Sequence, residues 1–168
     1  MAIVEQKPEL RLPTIAVPVT LVVVGHAAVT AELFVADVPR QSRSQLLDDI
    51  AALLDQDTSF LPVRGETGVR LLAKRSITWI AVTRAEEVDE EFDDSPSEVI
   101  TLYDRRHRVA VELVTGEALA GTLFDSSPAD RPRVIDHLNR AGRFVRLWTP
   151  EQQYLIAKDH ILEVREQE

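Results

Sequence analysis

The sequence predicts a mainly β (α+β) chain made of two tandem β-β-α-β-β-β units, each a small barrel or strongly bent sheet with a helix inserted between its second and third strands. Three observations predict it. A phrase recurs: LLAKRSI at 71–77 returns as LIAKDHI at 155–161. Short apolar runs alternate with polar residues on either side of each phrase, and a dense acidic run separates the two copies.

At an offset of 84, residues 50–82 align with 134–166 without a gap, matching Leu54 to Leu138, Phe60 to Phe144, Leu71 to Leu155 and Ile77 to Ile161. Upstream the offset becomes 90 and matches Val19 to Val109, Ala28 to Ala118 and Leu33-Phe34 to Leu123-Phe124. The six additional residues of the first copy precede its helix, where loops accept insertions. Gene duplication is the expected origin. It divides the chain into an irregular N-terminal arm (1–17), a first β-barrel repeat (18–84), an acidic linker (85–98) and a second β-barrel repeat (99–168).

In the first repeat, strands are expected at 19–24 and 28–34. Val19–Val24 is apolar on both faces, so the N-terminal arm, the other copy or a second chain is expected to cover it. Ser42 and Gln45 can form a capping box. Leu46, Leu47, Ile50, Leu53 and Leu54 then make a helical stripe. Three more strands follow at 60–63, 69–74 and 77–82. In the second repeat, Val109, Val111 and Leu113 alternate with Arg108, Ala110 and Glu112, the period of a strand with one wet face. Thr115-Gly116 makes a turn and 118–124 returns. Asp130 fits a helix N-cap and Pro132 its first turn, with Val134, Leu138 and Ala141 on one stripe and Gly142 as the stop. Strands at 144–148, 154–158 and 161–165 complete the unit. Five short strands around one small core suit a compact barrel.

The phrases VAVELVTGEALAGTLFD (109–125) and YLIAKDHILEV (154–164) resemble the first and second motifs of Sm-like (LSm-type) proteins. The pattern is also similar to small bacterial domains with no assigned activity. The resemblance implies a small β-barrel whose second strand coils at Gly121, where the first repeat has Ala31. RNA-binding members of the family carry an aspartate and asparagine in the loop before the third strand and an arginine–glycine pair before the last. In this sequence Asp136 and Asn139 fall inside the expected helix, and Lys74-Arg75-Ser76 and Lys158-Asp159-His160 lack the glycine. The resemblance therefore extends to the fold and leaves out the RNA site.

Composition narrows the functional classes. There is no cysteine among 168 residues, which closes disulfide, thiolate-metal and cysteine-nucleophile chemistry. The most apolar stretch, 17–24, is far shorter than the roughly 20 residues of a membrane span, and the N-terminus lacks a secretory pattern. No membrane partner and a cytoplasmic location are expected. The net charge of −9 is concentrated in AEEVDEEFDDSPSE (85–98), which holds eight acids and no Lys or Arg. The rest of the chain is nearly neutral, and such a run belongs in a linker.

Arg131, Arg133, Arg140, Arg143 and Arg146 crowd sixteen residues that contain a single acid, Asp136. With Trp148 and Lys158 they form a candidate anion or nucleic-acid surface. A solvated helix face, or one paired with carboxylates of the same chain, is the plainer reading of the cluster. The four histidines, His26, His107, His137 and His160, have no metal-binding spacing. No nucleophile elbow or phosphate-cradling loop occurs, and the sequence offers no catalytic residues, no metal site and no cofactor. The expectation is a non-enzymatic binding or assembly module that associates with itself, as a homo-oligomer, or with another protein through open strand edges. Nucleic-acid binding through the arginines is the alternative.

Overall fold

The computed structural model describes residues 13–40, 43–83, 105–125, 133–140 and 142–167. Among these the chain is mainly β, with ten antiparallel strands in one sheet and two helices. In chain order they are β1 (Thr14–Val23), β2 (Val29–Ala36), α1 (Arg43–Asp55), β3 (Phe60–Gly65), β4 (Gly68–Ala73), β5 (Ile77–Thr83), β6 (Arg105–Leu113), β7 (Ala118–Asp125), α2 (Val134–Leu138), β8 (Phe144–Trp148), β9 (Gln152–Ala157) and β10 (Ile161–Glu166). Single 3-10 turns at Lys74–Ser76 and Lys158–His160 precede β5 and β10. The acidic run, together with Ser42, Asp130, Arg131, Pro132 and Ala141, lies outside the described residues.

The sheet runs β10-β6-β7-β8-β9-β5-β1-β2-β3-β4. Its two halves, β5-β1-β2-β3-β4 and β10-β6-β7-β8-β9, pair in the same order and the same register. Val19 faces Ala31 as Val109 faces Gly121. Phe60 faces Ala73 as Phe144 faces Ala157, and Leu21 faces Ile80 as Val111 faces Val164. Even the irregularities coincide: the ladder slips at Thr78 in β5 and at the matched Leu162 in β10. The ladders between β2 and β3 and between β7 and β8 shrink to two residue pairs and one.

Two clusters of buried side chains lie on this sheet, and each borrows from the other half. The first gathers Leu21, Leu33, Leu47, Ile50, Leu54, Leu61, Ile77 and Ile80 around α1 and takes in Leu155 from β9. The second gathers Val109, Val111, Leu113, Leu123, Val145 and Leu147 and takes in Val22, Trp79 and Ala81 from β1 and β5. Alternation explains the exchange, because successive residues of a strand point to opposite faces. At the junction of β5 with β9, Ile80 and Leu155 point into one cluster, while Trp79 and Ile156 point into the other. The cover for the two-faced apolar strand at 19–24 is thus the neighbouring half.

Two sequence expectations are corrected. β1 begins at Thr14, inside the stretch assigned to an irregular arm, because Thr14–Val17 pairs with Leu33–Ala36. Pro18 is tolerated in this strand because β1 is paired at that point with β2 alone, β5 joining only from Thr20. The second helix is one turn, Val134–Leu138, starting after an extended Arg133 and closing at Asn139. It buries Val134, whereas α1 buries Leu47, Ile50 and Leu54, so little tertiary packing is left to extend it. Gly121 serves close approach: a Cβ there would stand 2.5 Å from the carbonyl oxygen of Trp148 on β8.

Candidate functional site

The repeated Ala-Lys pair has a structural role in both halves. Lys74, only 4% exposed, sends its ammonium to the carbonyls of Leu53 (2.9 Å) and Gln56 (3.3 Å) and to Thr58 Oγ1 (2.6 Å), closing the C-terminal end of α1. A cation satisfies carbonyls that a helix end leaves unpaired. Burial, then the charge of Arg143, holds the Lys74 ammonium below its ordinary pKa. Lys158 repeats the arrangement, donating from Nζ to the carbonyl of Arg140 at 2.6 Å just beyond α2. Its backbone N–H reaches the carbonyl of Arg143 at 2.9 Å, as that of Lys74 reaches Ser59.

The remaining members of the predicted basic cluster are dispersed over several elements. Arg133 bonds both carboxylate oxygens of Asp136, at 3.0 and 3.2 Å, on an exposed surface. This pair holds the Asp136 carboxyl below its usual range. Arg140 and Arg143 lie in the exposed connection from α2 to β8, where their carbonyls accept from Lys158. Arg146, on β8, donates to Asp48 of α1 at 2.6 Å. Trp148, half-buried, stands edge-on to Phe124 with ring centroids 6.2 Å apart. Arg131 is outside the described residues. The structure thus brings Lys158, Arg140 and Arg143 together around the end of α2 and engages Arg133 and Arg146 with carboxylates.

A different set of residues forms the junction between the halves. β5 and β9 pair from Trp79↔Ile156 to Thr83↔Gln152. The Trp79 and Tyr154 rings meet edge to face with centroids 5.1 Å apart, and Trp79 Nε1 donates to Glu117 at 3.1 Å. Helix α1 extends over β9: besides the Asp48–Arg146 pair, Asp55 accepts from the backbone N–H of Arg143 at 3.1 Å. His160 Nε2 lies 2.7 Å from the carbonyl of Arg75, so that nitrogen carries the proton and donates. A strand ladder, an aromatic pair and several polar contacts together make this an interface in the ordinary sense.

Sequence reasoning left open whether the two copies meet, although the repeat carried a signal for this surface. The offset of 84 sets Trp79 against Glu163 and Ala81 against Arg165, so β5 is apolar where its counterpart β10 is charged. That asymmetry marks β5 as the strand with a partner on both sides. Among the described residues no group of three or more His, Asp or Glu could hold a metal ion. No described helix is long and apolar enough to cross a membrane. Comparisons with protein-family models, curated proteins and solved structures found no match.

Proposed function

We propose that the chain is a duplicated pair of Sm-like small-barrel units and that it works as a non-enzymatic assembly module in the cytoplasm, binding copies of itself or another protein. The observation that carries this reading is the junction of β5 with β9, where one half docks on the other by adding a strand to its sheet. Strand addition is a recurrent recognition mode because backbone hydrogen bonds give affinity and alternate side chains give specificity. The identical register of the ladders in both halves supports the duplication.

Nucleic-acid binding through the arginines draws less support. Arg133 and Arg146 meet carboxylates, and Lys158 is spent on a carbonyl. Light scattering across a wide range of protein concentration, with absorbance at 260 and 280 nm recorded on the same peak, tests both readings. A mass above that of one chain with a protein-like absorbance ratio is expected. A monomer at every concentration would sink self-association, and copurifying material absorbing at 260 nm would favour the nucleic-acid reading.

A further inference from the structure

The two open edges of the sheet are counterparts of the two edges already used. Among the described residues the sheet ends at β10 on one side and β4 on the other. Under the offset of 84, β10 matches β5 and β4 matches β9, the two strands that meet at the internal junction. The surface around β9 is covered by the first half: Leu155 is fully buried, and Phe144 is packed against the first cluster. Among the described residues nothing covers the matching surface around β4. Leu71 is 68% exposed and Phe60 58%, with Val69 and Pro62 exposed beside them. These four share one face, since Leu71 stands opposite Pro62 across the ladder and Phe60 and Val69 lie two residues from that pair. Grouped apolar side chains in water mark a contact surface.

We propose that this face of β3 and β4 is the docking site for the second half of another copy of the chain, with β10 of one molecule continuing the sheet against β4 of the next. The proposal rests on the assembly reading above and names its surface. The internal junction supplies the register. Ile80↔Leu155 becomes Val164↔Leu71, Trp79↔Ile156 becomes Glu163↔Leu72, and Ala81↔Tyr154 becomes Arg165↔Arg70. Val164 and Leu71 are apolar in both settings, and exposed Leu162 adds apolar surface on β10.

The external joint is weaker than the internal one. Glu163 and Arg165, which are ion-paired with each other, stand where β5 has Trp79 and Ala81, and Arg165 meets the like charge of Arg70. Charged residues on an edge strand limit permanent pairing. Association is therefore reversible and rises with concentration. Because the two edges differ, the contact is head to tail and either closes a ring or runs on as a filament.

The absence of cysteine makes the register directly testable. Val164→Cys and Leu71→Cys variants are prepared as separate chains, mixed at high concentration and oxidised mildly, with native mass measured on the same samples. Directly opposed cross-strand residues lie within disulfide reach. A crosslink between the two variants, more abundant than either self-crosslink, is expected. In addition, Leu71→Lys, an exposed substitution that leaves the fold intact, weakens association by about tenfold or more. A Leu71→Cys self-crosslink alone would replace the head-to-tail joint with a symmetric one and overturn the proposal. Oligomers by mass without a mixed crosslink would overturn this register and leave the assembly reading standing, whereas monomers throughout would remove both.

Discussion

Phe60 and Phe144 occupy matched positions, as do Leu71 and Leu155, yet one pair stands in water and the other lies against the first core. The strand geometry around them is the same, with Phe60 opposite Ala73 and Phe144 opposite Ala157. What differs is the neighbour. Helix α1 and β5 lie over the second pair, and nothing in the described chain lies over the first. Burial at these positions is a property of assembly between units, while the ladder beneath is a property of each unit alone.

The largest expected effect comes from testing this comparison at the junction itself. Trp79→Ala should destabilise the protein by about 3–5 kcal/mol and Leu155→Ala by about 2–5 kcal/mol, the range for large-to-small changes in a packed core. The matched Leu71→Ala should stay within about 0.5 kcal/mol in dilute solution, as for exposed sites. Denaturant unfolding measured at one low protein concentration decides it. Equal losses for Leu155→Ala and Leu71→Ala would mean that the β4 surface is covered within the single chain.

The two lysines sharpen the contrast at a smaller scale. Lys74→Met removes the cation from two backbone carbonyls and the Thr58 hydroxyl in a nearly closed site, a loss of about 1–3 kcal/mol per unsatisfied buried group at most. Lys158→Met removes one contact to the Arg140 carbonyl beside a single turn of helix and should cost about 1 kcal/mol or less. The measurement is the shift in the unfolding midpoint at constant slope. A larger shift for Lys158 than for Lys74 would reverse the assigned importance of the two helix ends.

These lysines also show how far the sequence could be read. Alternation at Val109, Val111 and Leu113 placed β6, and β8 runs from Phe144 to Trp148 as its pattern indicates. The stripe from Leu46 to Leu54 placed α1, because a long apolar face has one physical solution. The second helix was overextended because a capping residue, a proline and a glycine bound a segment with too few apolar residues to hold several turns against the sheet. In Lys158 charge suggested ligand binding, while the acceptor for that charge lies 18 residues away, and the matched Lys74 has its acceptors 16 to 21 residues away. Arg146 likewise has its carboxylate partner, Asp48, 98 residues away. Local patterns report strands and helices; which edge meets which is set by contacts of high sequence separation.

The smallest predicted effect concerns a proton at the junction. Burial, followed by the negative charges of Glu117 and Glu151, raises the Tyr154 hydroxyl above the ordinary tyrosine value of 10.0. The folded chain therefore keeps this proton at pH values where the unfolded chain has lost it. The resulting stability is fully present below pH 10.0 and is lost as pH rises through the folded value. The chain has two tyrosines, so a Tyr103→Phe variant leaves Tyr154 as the one phenol to follow by ultraviolet difference absorbance. It should titrate above 10 when folded and return to about 10 in denaturant. Glu117→Gln keeps an acceptor for the Trp79 N–H but removes a charge, so it should move the titration part of the way down. The matched position on the open edge is Arg70, an exposed residue on β4. An ordinary Tyr154 titration in the folded chain would mean that water reaches the junction as freely as it reaches that edge, and the distinction between a sealed joint and an open one would fail.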